Sequence, residues 1–225
     1  MELLYQCAHV LRKDLLHQWR ARARLAAVAV FGLTTLLLFS FANGPDTVML
    51  RTNAAGYLWL ALLLCSTLSL AESFRIEMQN GALEGLLLLP TDPRAIYYGK
   101  ALANLAVLTG LGIALIPVMV ALYDTSIPLG VPRLAGVIAL GAAGLVAPGT
   151  LYSALSARAR GSDVLLPLLL FPLVVPALLS SVKATSLILA GDPMNQLSSW
   201  VGLLTAFNVI YWSLCGLLFG RVVED

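Results

Sequence analysis

The sequence predicts an all-α membrane protein with six transmembrane helices, an N-terminal interfacial amphipathic helix and a cytoplasmic coupling helix. Hydrophobic residues make up 59% of the 225 residues and charged residues 12%, whereas a soluble domain carries roughly 25% charged residues. The hydrophobic residues stand in six blocks, each long enough to cross roughly 30 Å of hydrocarbon at about 1.5 Å per residue. Because no internal repeat or long linker separates the blocks, we expect residues 1–225 to form a single transmembrane domain.

Residues 1–24 precede the first apolar block and have the pattern of an amphipathic helix. Asp14 and Gln18 interrupt its apolar side, and the arginines Arg20, Arg22 and Arg24 follow. This pattern is typical of a helix that lies in the membrane surface beside the phosphate headgroups. The alternative is a soluble amphipathic helix packed on another protein. The apolar side consists of Leu3, Leu4, Cys7, Ala8, Val10, Leu11, Leu15 and Trp19.

The six apolar blocks give the predicted transmembrane spans. A cleaved signal peptide is an alternative for the first, since Ser40-Phe41-Ala42 resembles a cleavage site. The first block is longer than a normal signal-peptide core, however, and a long charged helix precedes it. We place the spans near Leu25–Ala42, Ala54–Ala71, Ala101–Tyr123, Leu134–Ala157, Val164–Val182 and Ser198–Gly220.

The distribution of lysine and arginine predicts the orientation of the spans. With the N-terminus inside, the outer loops hold only Arg51, Arg133 and Lys183, and the other eleven basic residues are cytoplasmic. Cytoplasmic segments of membrane proteins carry such an excess of positive charge. We therefore expect a multi-pass protein of the cytoplasmic (inner) membrane with both termini in the cytoplasm. The cytoplasmic residues are Arg12, Lys13, Arg20, Arg22, Arg24, Arg75, Arg94, Lys100, Arg158, Arg160 and Arg221.

Two spans carry patterns that bear on helix packing. In the fourth span an alanine recurs every four residues, which gives a smooth stripe where another helix can approach closely. This stripe is a candidate contact with a second copy of the chain, or between two helices of one copy. The fifth span contains three prolines, which should each remove a backbone hydrogen bond and bend or open the helix. Ordinary packing and a moving transport helix are both compatible with these patterns. The residues are Ala135, Ala139, Ala143 and Ala147, and Pro167, Pro172 and Pro176.

The sequence offers no residues for catalysis or metal binding. Cys7, Cys65 and Cys215 form no CxxC pattern, and we expect them to be small buried side chains. An intramembrane hydrolase needs a base near a nucleophile, yet both histidines, His9 and His17, precede the first span. We therefore expect no catalytic residue, no metal site and no nucleic-acid partner.

The chain also lacks a phosphate loop. Its only Gly-Lys pair, Gly99-Lys100, precedes Ala101 and has no glycine five residues earlier. An ATP-driven role would therefore need a separate ATPase, which must dock on a cytoplasmic surface.

The longest polar stretch between spans runs from Glu72 to Lys100 and is the best candidate for that surface. It places a cluster of charges before the apolar run Leu86–Pro90, which is too short to cross a membrane. Such a segment can lie at the headgroup level and present its charged side to a partner. A solvated connecting loop is the alternative, which the leucine run disfavours. The predicted ATPase-coupling residues are Arg75, Glu77, Gln79, Asn80, Gly81, Leu83 and Glu84.

At these residues the sequence resembles the heme exporter protein B (CcmB) family. The resemblance rests on Phe74-Arg75, on the run from Gln79 to Pro90 and on Tyr98-Gly99-Lys100-Ala101. Arg160-Gly161, Leu165-Leu166 and the pair Pro172 and Pro176 extend it over essentially the whole chain. Glu72 departs from the pattern, because the acidic residue of the family stands one position earlier.

The resemblance implies the permease-like subunit of an ABC-type complex that acts in heme export for cytochrome c maturation. The implied partners are a CcmA-like ATPase, a CcmC-like heme-handling membrane protein, a small CcmD-like subunit and a CcmE-like heme chaperone. Heme and ATP with Mg²⁺ would be bound by these partners, and no cofactor by this chain alone. Because ABC transporters pair two membrane halves, the chain is expected to form a homodimer within the complex. The alternative is a non-transporting membrane scaffold for a cytochrome assembly complex.

Overall fold

The computed structural model describes residues 2–44, 46–79, 92–158 and 165–224, and these residues form seven α-helices without a strand. The predicted all-α fold class is therefore confirmed for the described part of the chain. The helices are α1 (Glu2–Arg20), α2 (Arg22–Asn43), α3 (Thr47–Gln79), α4 (Pro93–Tyr123), α5 (Val131–Arg158), α6 (Leu165–Ala190) and α7 (Leu197–Glu224).

Six of these helices, α2 to α7, are long and apolar enough to cross a membrane. The prediction of six spans in a multi-pass membrane protein is thus confirmed. Several helices extend beyond their apolar blocks: α3 begins at Thr47 rather than near Ala54, and α4 at Pro93 rather than near Ala101. The spans are Arg22–Asn43, Thr47–Phe74, Pro93–Tyr123, Val131–Ser156, Leu166–Ala190 and Leu197–Arg221.

All three basic residues that were predicted in outer loops lie inside helices: Arg51 in α3, Arg133 in α5 and Lys183 in α6. The fifth span was expected to end at Val182, but α6 continues to Ala190. Lys183 therefore lies inside a helix and not in a loop, so its predicted place was wrong. Its side chain is exposed, and a long lysine stem can carry its ammonium group from such a position to the membrane surface.

Aspartates cap the N-termini of α3 and α4, which lie before the apolar blocks. Asp46 Oδ1 accepts a hydrogen bond from Met49 N at 3.0 Å at the start of α3. Asp92 Oδ1 accepts one from Arg94 N at 2.8 Å at the start of α4, where Pro93 occupies the first position. These side chains satisfy backbone donors that have no partner within the helix. The caps explain why the helices begin before the hydrophobic sequence does.

The six spans alternate in direction, so the bundle has two ends. The end where α1 lies, where α2 and α4 begin and α3 ends, is called the α1 end, and the opposite one the far end. Helix α5 packs against α3, α4, α6 and α7 and is the most buried of the six spans. In its apolar 18-residue stretch 72% of residues are buried, compared with 17–50% in those of the other five. Helix α2 has the lowest value and packs at the edge against α1, α3 and α4.

The alanine stripe lies on α5. The indole Nε1 of Trp212 in α7 donates to Ala143 O at 3.2 Å, and the hydroxyl of Tyr97 in α4 donates to Ala147 O at 3.0 Å. Small residues let neighbouring helices approach a backbone closely enough for such bonds. Two stripe residues therefore contact helices of the same chain. Ala135 and Ala139 are half-buried, and a contact between this part of the stripe and a second copy stays a prediction.

The prolines of the fifth span differ in position. Pro172 and Pro176 lie inside α6, where each removes a backbone donor. Pro167 is the third described residue of α6, and its effect on the helix stays a prediction. Interior prolines also occur at Pro117 in α4 and Pro148 in α5, which the sequence analysis did not single out.

The cysteines behave as predicted. Cys7, Cys65 and Cys215 are all free and buried. Cys7 lies in α1, outside the six spans, and burial raises the pKa of its thiol above the usual value. A thiol in this state has little thiolate at neutral pH and is a poor nucleophile.

Candidate functional site at the α1 end

Helix α1 packs along the first turns of α4, and the two helices run in the same direction. Four residues of α1, spaced four apart, contact α4 or the residue that caps it, so the contact is a continuous seam. The pairs are Gln6 with Asp92, Val10 with Gly99, Asp14 with Lys100 and Gln18 with Asn104.

Gly99 allows this close approach. A Cβ atom at this position would lie 2.6 Å from Val10 Cβ and 3.1 Å from the carbonyl oxygen of Cys7. The second of these atoms belongs to the α1 backbone and cannot swing away. Glycine at position 99 is therefore required for α1 to lie at this distance from α4.

A buried ion pair stands at the centre of the seam. Lys100 Nζ donates to Asp14 Oδ2 at 3.0 Å, and the two side chains are 2% and 10% exposed. The ammonium also donates to the carbonyl oxygen of Ser73 in α3 at 3.2 Å and lies 4.7 Å from the centre of the Phe74 ring. An ammonium held by a carboxylate, a carbonyl and an aromatic face is well compensated for the loss of water. One lysine thereby joins α1, α3 and α4.

A layer of amide groups continues the network beyond the ion pair. Asn104 Nδ2 donates to Ser73 Oγ at 3.3 Å, and Asn104 Oδ1 accepts from Gln18 Nε2 at 3.3 Å. Asp14 and Gln18 are the two residues that interrupt the apolar side of α1 in the sequence. Both make specific contacts with α4, and these contacts explain the interruption. We call Asp14, Gln18, Ser73, Lys100 and Asn104 the polar latch.

The opposite side of α1 is apolar and uncovered. Leu4 is 74% exposed and Trp19 68% exposed, and Leu15 and Leu16 are exposed as well. Leu4, Leu15 and Trp19 belong to the predicted apolar side, and the seam does not use them. An apolar surface of this kind on a helix beside six spans fits contact with lipid.

The residues before Lys100 fasten α4 to the rest of the bundle. The hydroxyl of Tyr98 donates to Trp212 O at 3.3 Å, and the two rings stack with centroids 6.2 Å apart. Tyr97 reaches α5 through Ala147, as described above. The segment 97–100, which belongs to one of the sequence runs singled out above, therefore contacts α1, α3, α5 and α7.

The predicted coupling residues lie directly beside this network along the chain. Arg75, Glu77 and Gln79 lie in the last two turns of α3, which follow Ser73 and Phe74. Asn80, Gly81, Leu83 and Glu84 lie outside the described residues. Segment 80–91 connects α3 to α4. The latch therefore joins the two helices between which this segment runs along the chain. The role of these seven residues in ATPase coupling stays a prediction.

Sequence reasoning missed the latch as a unit. The sequence pattern indicates Lys100 as a cytoplasmic basic residue and as part of a Gly-Lys pair, and Asp14 as an interruption of an apolar side, without connecting the two residues. The available signal was the pair of polar residues four apart on the apolar side of α1. A polar pair on one face of a helix indicates a polar partner, although its identity depends on how the helices pack.

The described residues offer no set of metal ligands. They contain no group of three or more His, Cys, Asp or Glu side chains that could hold a metal ion. His9 is exposed and meets the Tyr5 ring edge-on at 4.4 Å, and His17 is also exposed. The chemistry of this site is therefore ion pairing and hydrogen bonding between helices.

Comparisons with known proteins agree with the architecture. The model of the family described as CcmB protein matches residues 5–224. Heme exporter protein B of Pseudomonas aeruginosa is 31% identical over 188 residues, which are 84% of this chain and 84% of that protein. The corresponding protein of Paracoccus denitrificans is 34% identical over 190 residues, 84% and 86% of the two chains. That of Rhodobacter capsulatus is 33% identical over 173 residues, 76% and 78%. The chain therefore belongs to the CcmB family.

Proposed function

We propose that this chain is the membrane-spanning subunit of a heme exporter complex in the cytoplasmic membrane, driven by a separate ATPase. The name of its relatives, heme exporter protein B, supports the substrate. The six spans support a permease role. The missing phosphate loop supports ATP hydrolysis by a partner.

The α1 end is the cytoplasmic side in this proposal. Ten of the fourteen basic residues lie in described segments at this end, Arg51, Arg133 and Lys183 lie in the far half, and Arg160 lies outside the described residues. The positive-inside rule then supports a cytoplasmic position for both termini. The latch and the ends of α3 and α4 that segment 80–91 connects lie on this side, where an ATPase would be.

The polar latch is the observation that carries the coupling role. A partner that pushes on segment 80–91 acts on the end of α3 and the start of α4. Lys100 holds both helices and α1 through short contacts in a buried environment, where an unpaired charge is costly. The three helices therefore move together rather than separately, and Tyr97 and Tyr98 pass the movement to α5 and α7.

The partners follow from this role. A CcmA-like ATPase would bind ATP and Mg²⁺ and dock at Arg75–Glu84, and two copies of this chain would form the membrane part. A CcmC-like protein, a small CcmD-like subunit and a CcmE-like heme chaperone would complete the complex. Heme is bound by these partners, and the present chain converts ATPase motion into rearrangement or release at the heme-chaperone site.

The decisive experiment is to purify the full chain from its native membrane and identify the ATPase that remains bound. Its ATP turnover is then measured with and without the heme-loaded chaperone. Turnover that rises with the loaded chaperone, and not with the heme-free one, is expected. If an ATPase binds but its turnover does not change with the loaded chaperone, the result would favour the scaffold alternative over the transporter. The absence of any bound ATPase would contradict the proposal.

A further inference from the structure

A cavity of about 430 Å³ lies in the far half of the bundle, between α2, α3 and α6. Phe39 lines it from α2, four residues before that helix ends at Asn43. The end of α2, the start of α3 and the end of α6 all lie at the far end of the bundle, so the cavity lies close to that surface. We call this space the far-end cavity. It lies across the bundle from the polar latch, and the proposed function does not use it.

Lys183 is the charged residue of this cavity. No Asp or Glu stands among the described residues that line it, and none of the described carboxylates forms an ion pair with Lys183. A lysine inside a membrane-spanning helix is costly, and such residues generally pair with another group or mark a functional site. Since the side chain is exposed, its ammonium is accessible to an anion that is not part of the chain.

Three neutral side chains of the cavity wall have hydrogen-bond donors to spare. The hydroxyl of Tyr57 accepts a bond from Asn43 Nδ2 at 3.0 Å, and its own proton has no acceptor among the described residues. Asn53 Nδ2 donates to Met49 O at 3.0 Å, which uses one of its two N–H groups. The hydroxyl of Ser186 makes no hydrogen bond within the described part of the chain. One cation and three neutral donors without a carboxylate suit a negatively charged oxygen group.

The four groups stand on two neighbouring helix faces at similar depth. Lys183 and Ser186 are three residues apart on α6, and Asn53 and Tyr57 are four apart on α3, so each pair shares one face of its helix. Helices α3 and α6 pack against each other and run in opposite directions. Asn53 is six residues from the far end of α3 and Lys183 seven from the far end of α6. A single ligand in the cavity is therefore within reach of both faces.

The cavity has room for more than the charged group. A water molecule takes about 30 Å³ of liquid volume, so 430 Å³ accommodates an oxyanion together with part of the molecule that carries it. A Cβ atom at Gly56, which lines the cavity, would meet nothing within 4 Å. The rings of Phe39 and Tyr57, stacked with centroids 4.4 Å apart, supply an aromatic wall. A ligand that fits has an anionic oxygen group and an apolar portion beside it.

We propose that the far-end cavity binds an oxyanion, a carboxylate or a phosphate, with its charge at Lys183 and hydrogen bonds from Ser186, Tyr57 and Asn53. Two sources supply this chemistry. One is the headgroup of an anionic lipid in the adjacent leaflet, and the other is a soluble organic acid or phosphate. The site stands on the geometry of α3 and α6 and does not depend on the proposed function.

The test uses the full chain, purified in an uncharged detergent and freed of lipid. Native mass spectrometry with phosphatidylglycerol and phosphatidylcholine of identical acyl chains tests the lipid source. Thermal unfolding in sodium phosphate or sodium acetate, compared with sodium chloride at equal ionic strength, tests the soluble source. Preferential retention of phosphatidylglycerol, or a higher Tm in phosphate or acetate, is expected, and the arm that responds identifies the source. No response in either arm would overturn the proposal.

Variants of the charged residue then test the site itself. One basic residue near an anionic lipid contributes about fivefold in affinity, so Lys183→Gln should weaken binding of the responding anion by about that factor. Lys183→Arg keeps the charge and should retain most of the binding. Arg133→Gln is the matched control, because it removes the same charge from an exposed position in the far half that is not in the cavity wall. Equal losses in Lys183→Gln and Arg133→Gln would contradict the proposal.

A second pair of variants tests the cavity without altering its charge. Gly56→Leu should reduce binding by filling the space, whereas Gly136→Leu on α5, where a Cβ also meets nothing within 4 Å, should not. This pair decides the matter if Lys183→Gln cannot be purified. An anion that binds equally well to both glycine variants binds elsewhere, and the far-end cavity would then not be its site.

Discussion

Lys100 Nζ and Asp14 Oδ2 lie 3.0 Å apart although 86 residues separate them in the chain. The contact joins a helix that precedes the first span to the first turns of the third span. Helix α1 is thus a structural part of the bundle and not only an attachment to the membrane surface.

Removal of either charge should destabilise the protein strongly. Asp14→Leu leaves a buried ammonium without its carboxylate, and Lys100→Met leaves a buried carboxylate, so each should cost about 3–5 kcal/mol. The double variant replaces the pair with apolar groups and should recover most of that loss. Thermal unfolding of the detergent-solubilised chain measures this. Arg12→Met, at an exposed position of the same helix, is the control, and a double variant no more stable than the single ones would refute the pairing.

Enlargement of Gly99 should detach α1. Gly99→Leu forces a Cβ into Val10 and the Cys7 carbonyl, and overpacking of this kind costs about 1–3 kcal/mol. Gly56→Leu is the matched control, because a Cβ there meets nothing within 4 Å. Limited proteolysis of α1 measures the effect. Equal protection of α1 in both variants would show that the close approach is not needed.

The thiol of Cys7 should report the same detachment through its pH dependence. Burial raises its pKa, so the thiolate that reacts with maleimide forms only at higher pH than for an ordinary cysteine. Release of α1 lowers the pKa toward its usual value, and the rate profile should move to lower pH. The measurement uses Cys65→Ala/Cys215→Ala chains with and without Gly99→Leu. Identical profiles would mean that Cys7 is not buried by docking of α1.

The sequence predicted the six spans well, because hydrophobic blocks report directly which residues lie in hydrocarbon. It did not predict where the helices end, since helix α3 continues outward through Arg51 and Asn53 and is capped at Asp46. The hydropathy pattern does not detect such polar turns, and for the same reason it predicted Lys183 in a loop. The partner of Asp14 depends on the register between α1 and α4, which no local pattern encodes.

Charge reversal in the predicted coupling segment should weaken ATPase docking. Glu77→Lys/Glu84→Lys replaces two carboxylates with ammonium groups, and each hydrogen-bonded contact to a charged group is worth about 1.5–3 kcal/mol. Co-purification of the ATPase should fall while the chain remains inserted. Val48→Lys/Met194→Lys, at two exposed side chains of the far end, is the control, because it adds ammonium groups away from the segment. Undiminished co-purification would remove this segment from the interface.

Cysteine probes should confirm the orientation of the bundle. With native cysteines replaced, probes at Val48 and Met194, which are 73% and 75% exposed at the far end, should react with a membrane-impermeant reagent from outside. Met194 is preferable to Asp192, whose carboxylate accepts bonds from Gln196 N and Leu197 N at the start of α7. Probes at Gln79 and Gly161 should react only from inside. Labelling of Gln79 from outside would reverse the orientation.

The last prediction concerns heme. Protein heme iron is commonly held by histidine, cysteine thiolate, methionine or tyrosine. Both histidines of this chain lie in α1 and are exposed, eight residues apart on one helix, so they cannot clamp a porphyrin from its two faces. Cys65 and Cys215 are buried within separate helices. We therefore expect that the purified chain alone gives no stoichiometric six-coordinate heme spectrum, and that the axial ligands come from a partner.

A visible spectrum of the detergent-purified chain with added heme measures this. His17 is the more important control, because it lines a cavity between α1, α2, α3 and α4, whereas His9 does not. Weak absorbance that is unchanged in His9→Ala and His17→Ala chains is nonspecific partitioning into detergent and fits the prediction. A one-to-one low-spin Soret band that is lost in His17→Ala but kept in His9→Ala would contradict it.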